Sequence, residues 1–268
     1  MTWYEALILG VIQGLAEFLP ISSSAHLALA PWFFGWEDQG LAFDVALHVG
    51  TLVAVASYFW RDWVLLLRSA AGVVRQRGRA SNADERRVIY LVVATIPAAL
   101  AGLTVQDLAE STFRSPRLIA VTLVVMGMVL WLADRLAPRN RQLPAMRLSD
   151  ALLVGLAQVL ALVPGVSRSG ATITGARLRG FDRQSAAVFS FLMSFPITLA
   201  AAVAKAPDAL REGHDILPLL VGVGAAAASS WLAIAALLRF VVRHSYGVFA
   251  AYRLLLGVVI WLTIASRG

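Results

Sequence analysis

The segments GVIQGLAEFLPISSSAHL at residues 10–27 and GLAQVLALVPGVSRSGAT at residues 155–172 are two copies of one interrupted apolar stretch. At a constant offset of 145 residues, six of the eighteen positions are identical. The identical pairs are Gly10/Gly155, Gln13/Gln158, Leu15/Leu160, Ala16/Ala161, Ser22/Ser167 and Ser24/Ser169. Apolar segments broken by Pro or Gly at matching positions of two halves indicate the binding site of a duplicated membrane protein. We therefore look for function in these two segments.

The two copies differ in their charged residues. Glu17 aligns with Leu162, and Arg168 aligns with Ser23, so each copy contributes one charge that the other lacks. A charge at membrane depth is costly and is functional by default. We expect the carboxylate of one half and the guanidinium of the other to share one site. An ion pair with a purely structural role is the alternative.

The composition is that of an all-α polytopic membrane protein. Hydrophobic residues make up 59% of the chain and charged residues 15%, and the mean hydropathy is +0.74. Runs long enough to cross about 30 Å of hydrocarbon lie near residues 44–60, 88–106, 117–136, 186–204, 216–238 and 247–265. The net charge of +7 comes from arginines in the connections between these runs, so it indicates orientation in a membrane and not nucleic-acid binding. The chain has no cysteine, which excludes disulfides and thiolate metal sites.

The arginines predict which connections face the cytoplasm. Connections 61–87 and 135–147 hold seven and four arginines, and we place both on the cytoplasmic side. The 205–215 connection fits the outer side because its charges are mixed: Lys205, Asp208, Arg211, Glu212 and Asp215. Six spans alternate with these connections only if residues 3–35 and 150–175 each enter and leave the membrane on one face.

Each half is therefore predicted to be a re-entrant helical hairpin followed by three transmembrane helices. An odd number of crossings turns the second half upside down, so the fold is an inverted-topology repeat in a single integral membrane domain, 1–268. The repeats cover about residues 1–140 and 148–268. The hairpins enter from opposite faces and meet tip to tip, where protein surrounds their broken backbone.

Both tips carry polar residues around a helix break. In the first tip, Gln13 and Glu17 share one helix face, Pro20 ends the helix, and the next half-helix begins with Ser22, Ser23, Ser24 and His26. In the second tip, Pro164 and Gly165 break the chain ahead of Ser167, Arg168, Ser169 and Thr172. The hydroxyls could be helix caps and nothing more, the glutamines could satisfy broken backbone, and the histidine could be a packing residue.

Helix N-termini, an arginine, hydroxyls, a carboxylate and an imidazole together suit a phosphate ester. Arg168 and the half-helix ends would hold phosphate oxygens, together with the hydroxyls of Ser22, Ser24, Ser167, Ser169 and Thr172. Ser23 or a water would attack phosphorus, Glu17 would act as base or as ligand to a divalent cation, and His26 would shuttle a proton. The apolar surroundings predict a substrate with a phosphate head and a lipid tail.

At these residues the sequence resembles the bacterial undecaprenyl-pyrophosphate phosphatases associated with bacitracin resistance. The resemblance rests on the QxxxE motif that runs into LPxSSxxH, here Gln13 to His26, and on PGxSRSGAT, here Pro164 to Thr172. FDVALHVGT at 43–51 is similar to a third segment of that family. The layout of a hairpin plus three spans in each half covers essentially the whole chain.

The resemblance implies hydrolysis of undecaprenyl pyrophosphate to undecaprenyl phosphate and inorganic phosphate, which recycles the lipid carrier for cell-wall synthesis. It places this reaction at the outer face of the bacterial cytoplasmic (inner) membrane. The family's catalytic positions fall on Glu17, His26, Ser22, Ser23, Ser167 and Arg168, with Gln13 and His48 in support. A divalent cation, Mg²⁺ or Ca²⁺, is also implied. Many members have Glu where this chain has Gln13, so the cation would be held chiefly by Glu17 and the diphosphate.

The main alternative is a transporter or flippase of polyprenyl phosphate lipids, because inverted repeats with broken helices also serve alternating access. Fold alone does not exclude it. A transporter needs groups that bind phosphate but no positioned nucleophile and base, whereas the first tip has Ser22, Ser23, Glu17 and His26 within about two turns. The expected partners are the polyprenyl diphosphate and membrane lipid, and the sequence leaves a homodimer open.

Overall fold

The computed structural model describes residues 1–37, 39–110, 115–211 and 215–267, and it describes no side chains at residues 41, 42, 105–110 and 205–211. The long elements are helices, numbered in chain order: α1 Trp3–Phe18, α2 Ser23–Phe34, α3 Gly40–Tyr58, α4 Trp60–Arg75, α5 Ala83–Glu110, α6 Pro116–Leu136, α7 Leu148–Val159, α8 Arg168–Leu178, α9 Arg183–Arg211, α10 Ile216–Arg243 and α11 Gly247–Arg267. Short 3-10 turns lie at Leu143–Ala145 and Leu160–Leu162. The predicted all-α polytopic membrane fold is confirmed.

Within the described residues, five helices are long and apolar enough to cross a membrane: α5, α6, α9, α10 and α11. The sixth predicted span corresponds to α3, which continues into α4 through a bend of 83° at Phe59. The predicted connection 61–87 is wrong in its first part, because residues 60–75 form α4. The 205–215 connection falls largely on residues whose side chains or placement lie outside the described part of the chain.

α1 and α2 form the first predicted hairpin, and α7 and α8 form the second. The half-helices α2 and α8 begin at serines 145 residues apart, each with backbone in the left-handed region: Ser22 has φ 78° and Ser167 has φ 73°. Each serine caps its helix by accepting a hydrogen bond from the backbone N–H three residues on. Residues other than glycine rarely adopt this backbone conformation. Its recurrence at both aligned serines therefore supports the duplication.

The long helices of one half pack against the hairpin of the other half. α1 packs against α10, where Gly10 meets the Gly222 carbonyl, and α7 packs against α5, where Gly155 meets Ala94. α6 packs against α11, where Gly127 meets Arg253 and Gly257 meets Val124. An inverted duplication requires such reciprocal pairing, and the pairing fixes the two hairpin tips against each other.

At the ends of α6 and α7, two buried aspartates hold arginines from neighbouring elements. Asp134 and Asp150 are 2% and 0% exposed, and each accepts hydrogen bonds from two guanidinium groups. The partners are Arg177 and Arg183 for the first aspartate, and Arg141 and Arg179 for the second. Pairing of this kind offsets the cost of burying charge, so these clusters tie α6, α7, α8 and α9 together away from the tips.

Candidate active site at the meeting hairpin tips

The carboxylate of Glu17 lies in the last turn of α1 and is nearly buried, with 6% of the residue exposed. Its Oε2 accepts hydrogen bonds from Gln13 Nε2 at 3.1 Å and from Ser23 Oγ at 2.6 Å. The first contact follows from the spacing of four residues on one helix. The second crosses the break at Pro20, because Ser23 is the first residue of α2. The chain reversal therefore places a hydroxyl directly against a carboxylate.

Arg168 brings the second half to the same carboxylate. Its Nη2 donates to Glu17 Oε1 at 2.7 Å, and its Nη1 donates to the Ser190 carbonyl of α9 at 3.3 Å. The two charged residues are 151 positions apart in the chain. The predicted ion pair between Glu17 of the first copy and Arg168 of the second copy is therefore present in the structure.

His48 of α3 approaches Glu17 from a third direction, with its Nε2 at 3.5 Å from Oε2. Its Nδ1 lies 2.6 Å from the Asp44 carbonyl, which can only accept a hydrogen bond, so Nδ1 carries the proton. The Nε2 atom therefore donates to Glu17 only when the ring is protonated. The sequence analysis gave His48 a supporting role, and the structure places it beside the carboxylate.

His26 lies on the other side of the first tip. Its Nδ1 donates to the Ser22 carbonyl at 2.7 Å, and its Nε2 lies 2.7 Å from the hydroxyl of Tyr252 on α11. The two rings are stacked, with centroids 5.7 Å apart. Since Nδ1 holds the proton in the neutral ring, Nε2 accepts from the tyrosine hydroxyl. The Nε2 atom of His26 therefore contacts Tyr252 and not Glu17.

The remaining predicted hydroxyls mostly hold the tips together. In each tip the capping serine pairs with the serine two positions on, at 3.3 Å for Ser22 and Ser24 and at 3.2 Å for Ser167 and Ser169. Ser22 Oγ also accepts from the Gly165 N–H, and Ser169 Oγ donates to the Leu19 carbonyl. Ser22 and Ser167 are thus helix caps, Ser169 links the second tip to the first, and Ser24 is exposed.

Thr172 also makes hydrogen bonds within the protein. Its Oγ1 donates to the Arg168 carbonyl one turn earlier at 2.8 Å and lies 2.7 Å from the hydroxyl of Ser190. Ser190 in turn offers its carbonyl to the Arg168 side chain. The predicted phosphate contact of Thr172 stays a prediction, and the structure gives Thr172 and Ser190 a supporting position behind Arg168.

Arg253, at the middle of α11, is the residue that the sequence analysis missed. It is fully buried, and its guanidinium donates to the carbonyls of Pro20 in the first tip and of Gly165 and Val166 in the second. Its Nε donates to the Leu123 carbonyl of α6. An arginine within an apolar span is a signal in its own right, and the run at 247–265 contains one.

Comparison with known proteins identifies the family. A family model described as bacitracin resistance protein BacA matches residues 6–259. The chain belongs to the BacA family. This BacA chain is 60% identical over 267 residues to an undecaprenyl-diphosphatase of Gemmatimonas aurantiaca, with full coverage of both chains. It is 50% identical to one of Moorella thermoacetica, with 97% of each chain covered, and 47% identical to one of Desulforudis audaxviator, with full coverage.

The residues at the tips of this BacA chain do not form a cation site by themselves. Among the described residues, no group of three or more His, Cys, Asp or Glu side chains could hold a metal ion. The single carboxylate at the tips, that of Glu17, already accepts hydrogen bonds from Arg168, Ser23 and Gln13. A divalent cation usually takes six or more oxygen ligands. Most of these ligands would have to come from outside the protein.

Proposed function

We propose that the chain hydrolyses undecaprenyl diphosphate to undecaprenyl phosphate and inorganic phosphate at the meeting tips. The observation that carries this proposal is the hydrogen bond of 2.6 Å from Ser23 Oγ to Glu17 Oε2, beside the Arg168 guanidinium. A hydroxyl beside a base and a cation is the set of groups that phosphoryl transfer to a serine would use. The curated relatives named undecaprenyl-diphosphatase support the substrate.

Arg168 and the N-terminal ends of α2 and α8 would bind the terminal phosphate. The guanidinium has donors beyond the one that Glu17 uses, and two helix N-termini meet at the same place. As charge moves onto the oxygens of the transferring group, these donors stabilise it. Glu17 holds the arginine in position until the substrate competes for it.

Ser23 is the proposed nucleophile. Its oxygen forms a bond to the terminal phosphorus, the anhydride P–O bond breaks, and undecaprenyl phosphate leaves with the bonding electron pair. Glu17 takes the hydroxyl proton, and a water then hydrolyses the phosphoserine to release phosphate. Direct attack by water, with Glu17 again as base, yields the same products and is the alternative for this step.

His26 is the proposed proton shuttle, and it acts through the hydroxyl of Tyr252 that its Nε2 contacts. A proton taken up at Glu17 has to leave before the next turnover. Ser23 is partly exposed and Ser24 is exposed, so the path from the carboxylate to the histidine would run over waters bound on this side of the first tip.

A divalent cation, Mg²⁺ or Ca²⁺, is proposed to enter with the diphosphate, whose oxygens would supply most of its ligands. Glu17 would add one oxygen. No step above passes through the cation, because the residues of the tips leave it no complete site. Removal of divalent ions with EDTA during phosphate release decides whether the cation is needed.

The enzyme is a multi-pass membrane protein acting on a lipid. The membrane in which it lies, its orientation there and its oligomeric state are proposals. The arginine-rich connections support a bacterial cytoplasmic membrane with the tips open to the outer side. The homodimer stays a prediction that light scattering of purified protein tests. The transporter alternative assigns no role to the contact between Ser23 and Glu17.

Phosphate release from a C15 or C55 prenyl diphosphate by purified protein tests the proposal, with Glu17→Gln as the variant. Glu5→Gln is the matched control, since Glu5 lies at the start of the same helix and forms a capping box with Thr2. We expect a fall of roughly 10²–10⁴-fold for the Glu17 variant and no change for the control. Unchanged release from the Glu17 variant would overturn the proposal.

A further inference from the structure

Gln13 Oε1 and Ser230 Oγ are buried polar atoms that have no hydrogen-bond partner among the described residues. Both residues are 0% exposed. Only the nitrogen of the Gln13 amide can donate to the Glu17 carboxylate, so the amide oxygen is turned away from Glu17. A buried polar atom without a partner is unfavourable and calls for one.

The helices α1, α3 and α10 run side by side in the same direction behind Glu17. Successive residues of α1 and α3 pack against successively later residues of α10: Gly10 against Gly222, Gly14 against Ser230, Leu47 against Gly222 and Gly50 against Ala226. Buried apolar residues of all three helices form one cluster in the shared interior, among them Leu9, Leu47 and Ala226. A residue one turn after each of these therefore points into the same interior, one layer further along.

The next layer of this interior is polar. Its residues lie four positions after members of the apolar cluster: Gln13 after Leu9, Thr51 after Leu47, and Ser230 after Ala226. Thr51 is 3% exposed, and its hydroxyl donates to the His48 carbonyl at 2.8 Å. We call Gln13, Thr51 and Ser230 the polar layer. It lies directly behind the carboxylate and the histidine of the proposed site.

The equivalent place in the second half has neither the hydroxyl nor the carboxylate. α10 and α5 pack on the two hairpins in the same way, and Ser230 and Gly102 each lie eight residues after the close contact, at residue 222 or 94. A side-chain carbon at Gly102 would lie 3.9 Å from Leu162, the residue that aligns with Glu17. By the same relation, Ser230 lies beside Glu17. The hydroxyl is thus found only in the half that carries the carboxylate.

We propose that the polar layer binds one water, and that Ser230 is through this water a positioning residue for Glu17. The water donates to Gln13 Oε1 and Thr51 Oγ1 and accepts a hydrogen bond from the Ser230 hydroxyl. Internal waters typically make about three such bonds to buried polar groups, and both partnerless atoms then have a partner. The effect on turnover rests on the proposed phosphatase function, whereas the water site itself does not.

The bound water fixes which way the Gln13 amide faces. Its hydrogen bond holds the amide oxygen on the side of Ser230, which keeps the amide nitrogen against Glu17. Without this water the amide can turn over, and its oxygen would then face the carboxylate, which also only accepts hydrogen bonds. Glu17 would lose one of the donors that orient it toward the Ser23 hydroxyl.

The experiment compares Ser230→Ala with Ser229→Ala in the purified full chain, each alone and combined with Gln13→Leu. Ser229 is the matched control, because its hydroxyl already donates to the Ala225 carbonyl of its own helix at 2.7 Å. Two measurements are made on every variant: kcat and KM for phosphate release from a C15 diphosphate, and the thermal unfolding temperature. A high-resolution crystal structure of the parent shows whether the water is present.

We expect Ser230→Ala to lower kcat about tenfold and to change KM less. A misplacement of about 1 Å can cost about 10²-fold, and the amide is one of several donors that hold Glu17. In the Gln13→Leu background, Ser230→Ala should cause no further loss, because its effect passes through the amide. Ser229→Ala should keep the parental kcat in both backgrounds.

The unfolding temperature tests the water site without reference to activity. Removal of a hydrogen-bonded hydroxyl lowers stability, whereas removal of a buried hydroxyl without a partner raises it. We therefore expect Ser230→Ala to unfold about 2–4 °C below the parent, and the crystal structure to show a water between Gln13 and Ser230.

A rise in the unfolding temperature of Ser230→Ala, or no water between the two side chains, would overturn the water site. Parental kcat in Ser230→Ala, or a loss that multiplies with that of Gln13→Leu, would overturn the positioning role. If the parent releases no phosphate, the phosphatase proposal and the positioning role both fail. The unfolding temperatures and the crystal structure then still decide for or against the water site.

Discussion

The two hairpin tips have the same backbone and different chemistry. Ser22 and Ser167 share a left-handed conformation and the same cap. The aligned glutamines of α1 and α7 differ in their hydrogen bonds. Gln13 donates to Glu17, whereas both polar side-chain atoms of Gln158 are buried without a partner among the described residues. Leu162 stands where a carboxylate would meet the second glutamine.

The comparison indicates that the duplication supplied the scaffold and that the divergence at Glu17 and Arg168 supplied the proposed catalytic pair. Both tips supply a helix N-terminus and serine hydroxyls, which are useful to any bound phosphate. The base and the cation were each kept or gained on one side only. Two arginines would leave no base, and two carboxylates would repel the substrate, so an asymmetric pair is the arrangement that can both bind and cleave a diphosphate.

The largest effect expected from breaking this asymmetry is that of Arg168→Gln. The variant removes the charge that the second tip contributes to the transition state, and we expect kcat/KM to fall about 10³-fold or more. Phosphate release by membrane-inserted, monodisperse protein measures it, with Arg239→Gln as the control at an exposed arginine. Turnover within tenfold of the parent would refute the role of Arg168.

Ser23→Ala compares the two neighbouring hydroxyls of the first tip. If the Ser23 oxygen attacks phosphorus, we expect a loss of roughly 10²–10⁴-fold, whereas Ser24→Ala should cost much less because that hydroxyl contacts Ser22 and is predicted only to help bind phosphate. Mass spectrometry of quenched reactions should detect a phosphorylated parent chain. A substantial residual rate in Ser23→Ala, without a phosphoenzyme, would assign the attack to water.

Arg253→Gln tests whether the two tips must be held in register. Arg253 touches backbone carbonyls of both tips and no predicted reacting atom, so it is a positioning residue. We expect kcat to fall about 10–100-fold with a smaller change in KM, since a misplacement of about 1 Å can cost about 10²-fold. Arg253→Lys should recover part of kcat. If the folded fraction of Arg253→Gln keeps the parental kcat, the role is merely structural.

Gln13→Glu tests the missing second carboxylate. Beside Glu17 it would add a like charge that a divalent cation can neutralise, so we expect activity to become more sensitive to EDTA, by a factor of about ten. The matched variant Gln158→Glu places a carboxylate beside Leu162, where we expect lower stability and no gain in cation dependence. Identical EDTA titrations of the parent and Gln13→Glu would contradict this expectation.

Gln158→Leu should have the smallest effect on activity. It removes a buried amide that lacks partners among the described residues, and we expect a gain in stability of about 1–3 kcal/mol with unchanged turnover. Gln13→Leu should lower turnover, because it removes a donor to Glu17. Thermal unfolding together with phosphate release compares them. A loss of activity in Gln158→Leu would show that the second glutamine is not a remnant of the duplication.

The contact between the two hairpin tips was predictable, because the sequence contains an aligned duplication in which each copy has one charge that the other lacks. Glu17 and Arg168 were expected to form an ion pair, since a charge at membrane depth needs an oppositely charged or polar partner. The family prediction, drawn from the same residues, is confirmed by the match over residues 6–259. The catalytic roles of the individual residues stay predictions.

Other features were harder to predict from the sequence. The recurring arginines of α4 indicate a connection, whereas the apolar residues between them have the spacing of a helix. The partners of Arg253 are backbone carbonyls, which any residue can offer, so no sequence pattern names them. The contact between His26 and Tyr252 joins residues 226 positions apart and depends on how α11 packs.

We propose that one carboxylate and one guanidinium from opposite halves act as a unit in catalysis. A double-mutant cycle on kcat/KM for Glu17→Gln, Arg168→Gln and the combined variant tests it most directly, with phosphate release from a C15 diphosphate as the assay. Residues that act as a unit give non-additive losses, so we predict that the double variant is no slower than the slower single variant by more than about threefold. If the two losses multiply, the residues act independently, and the site shared by the two halves is contradicted.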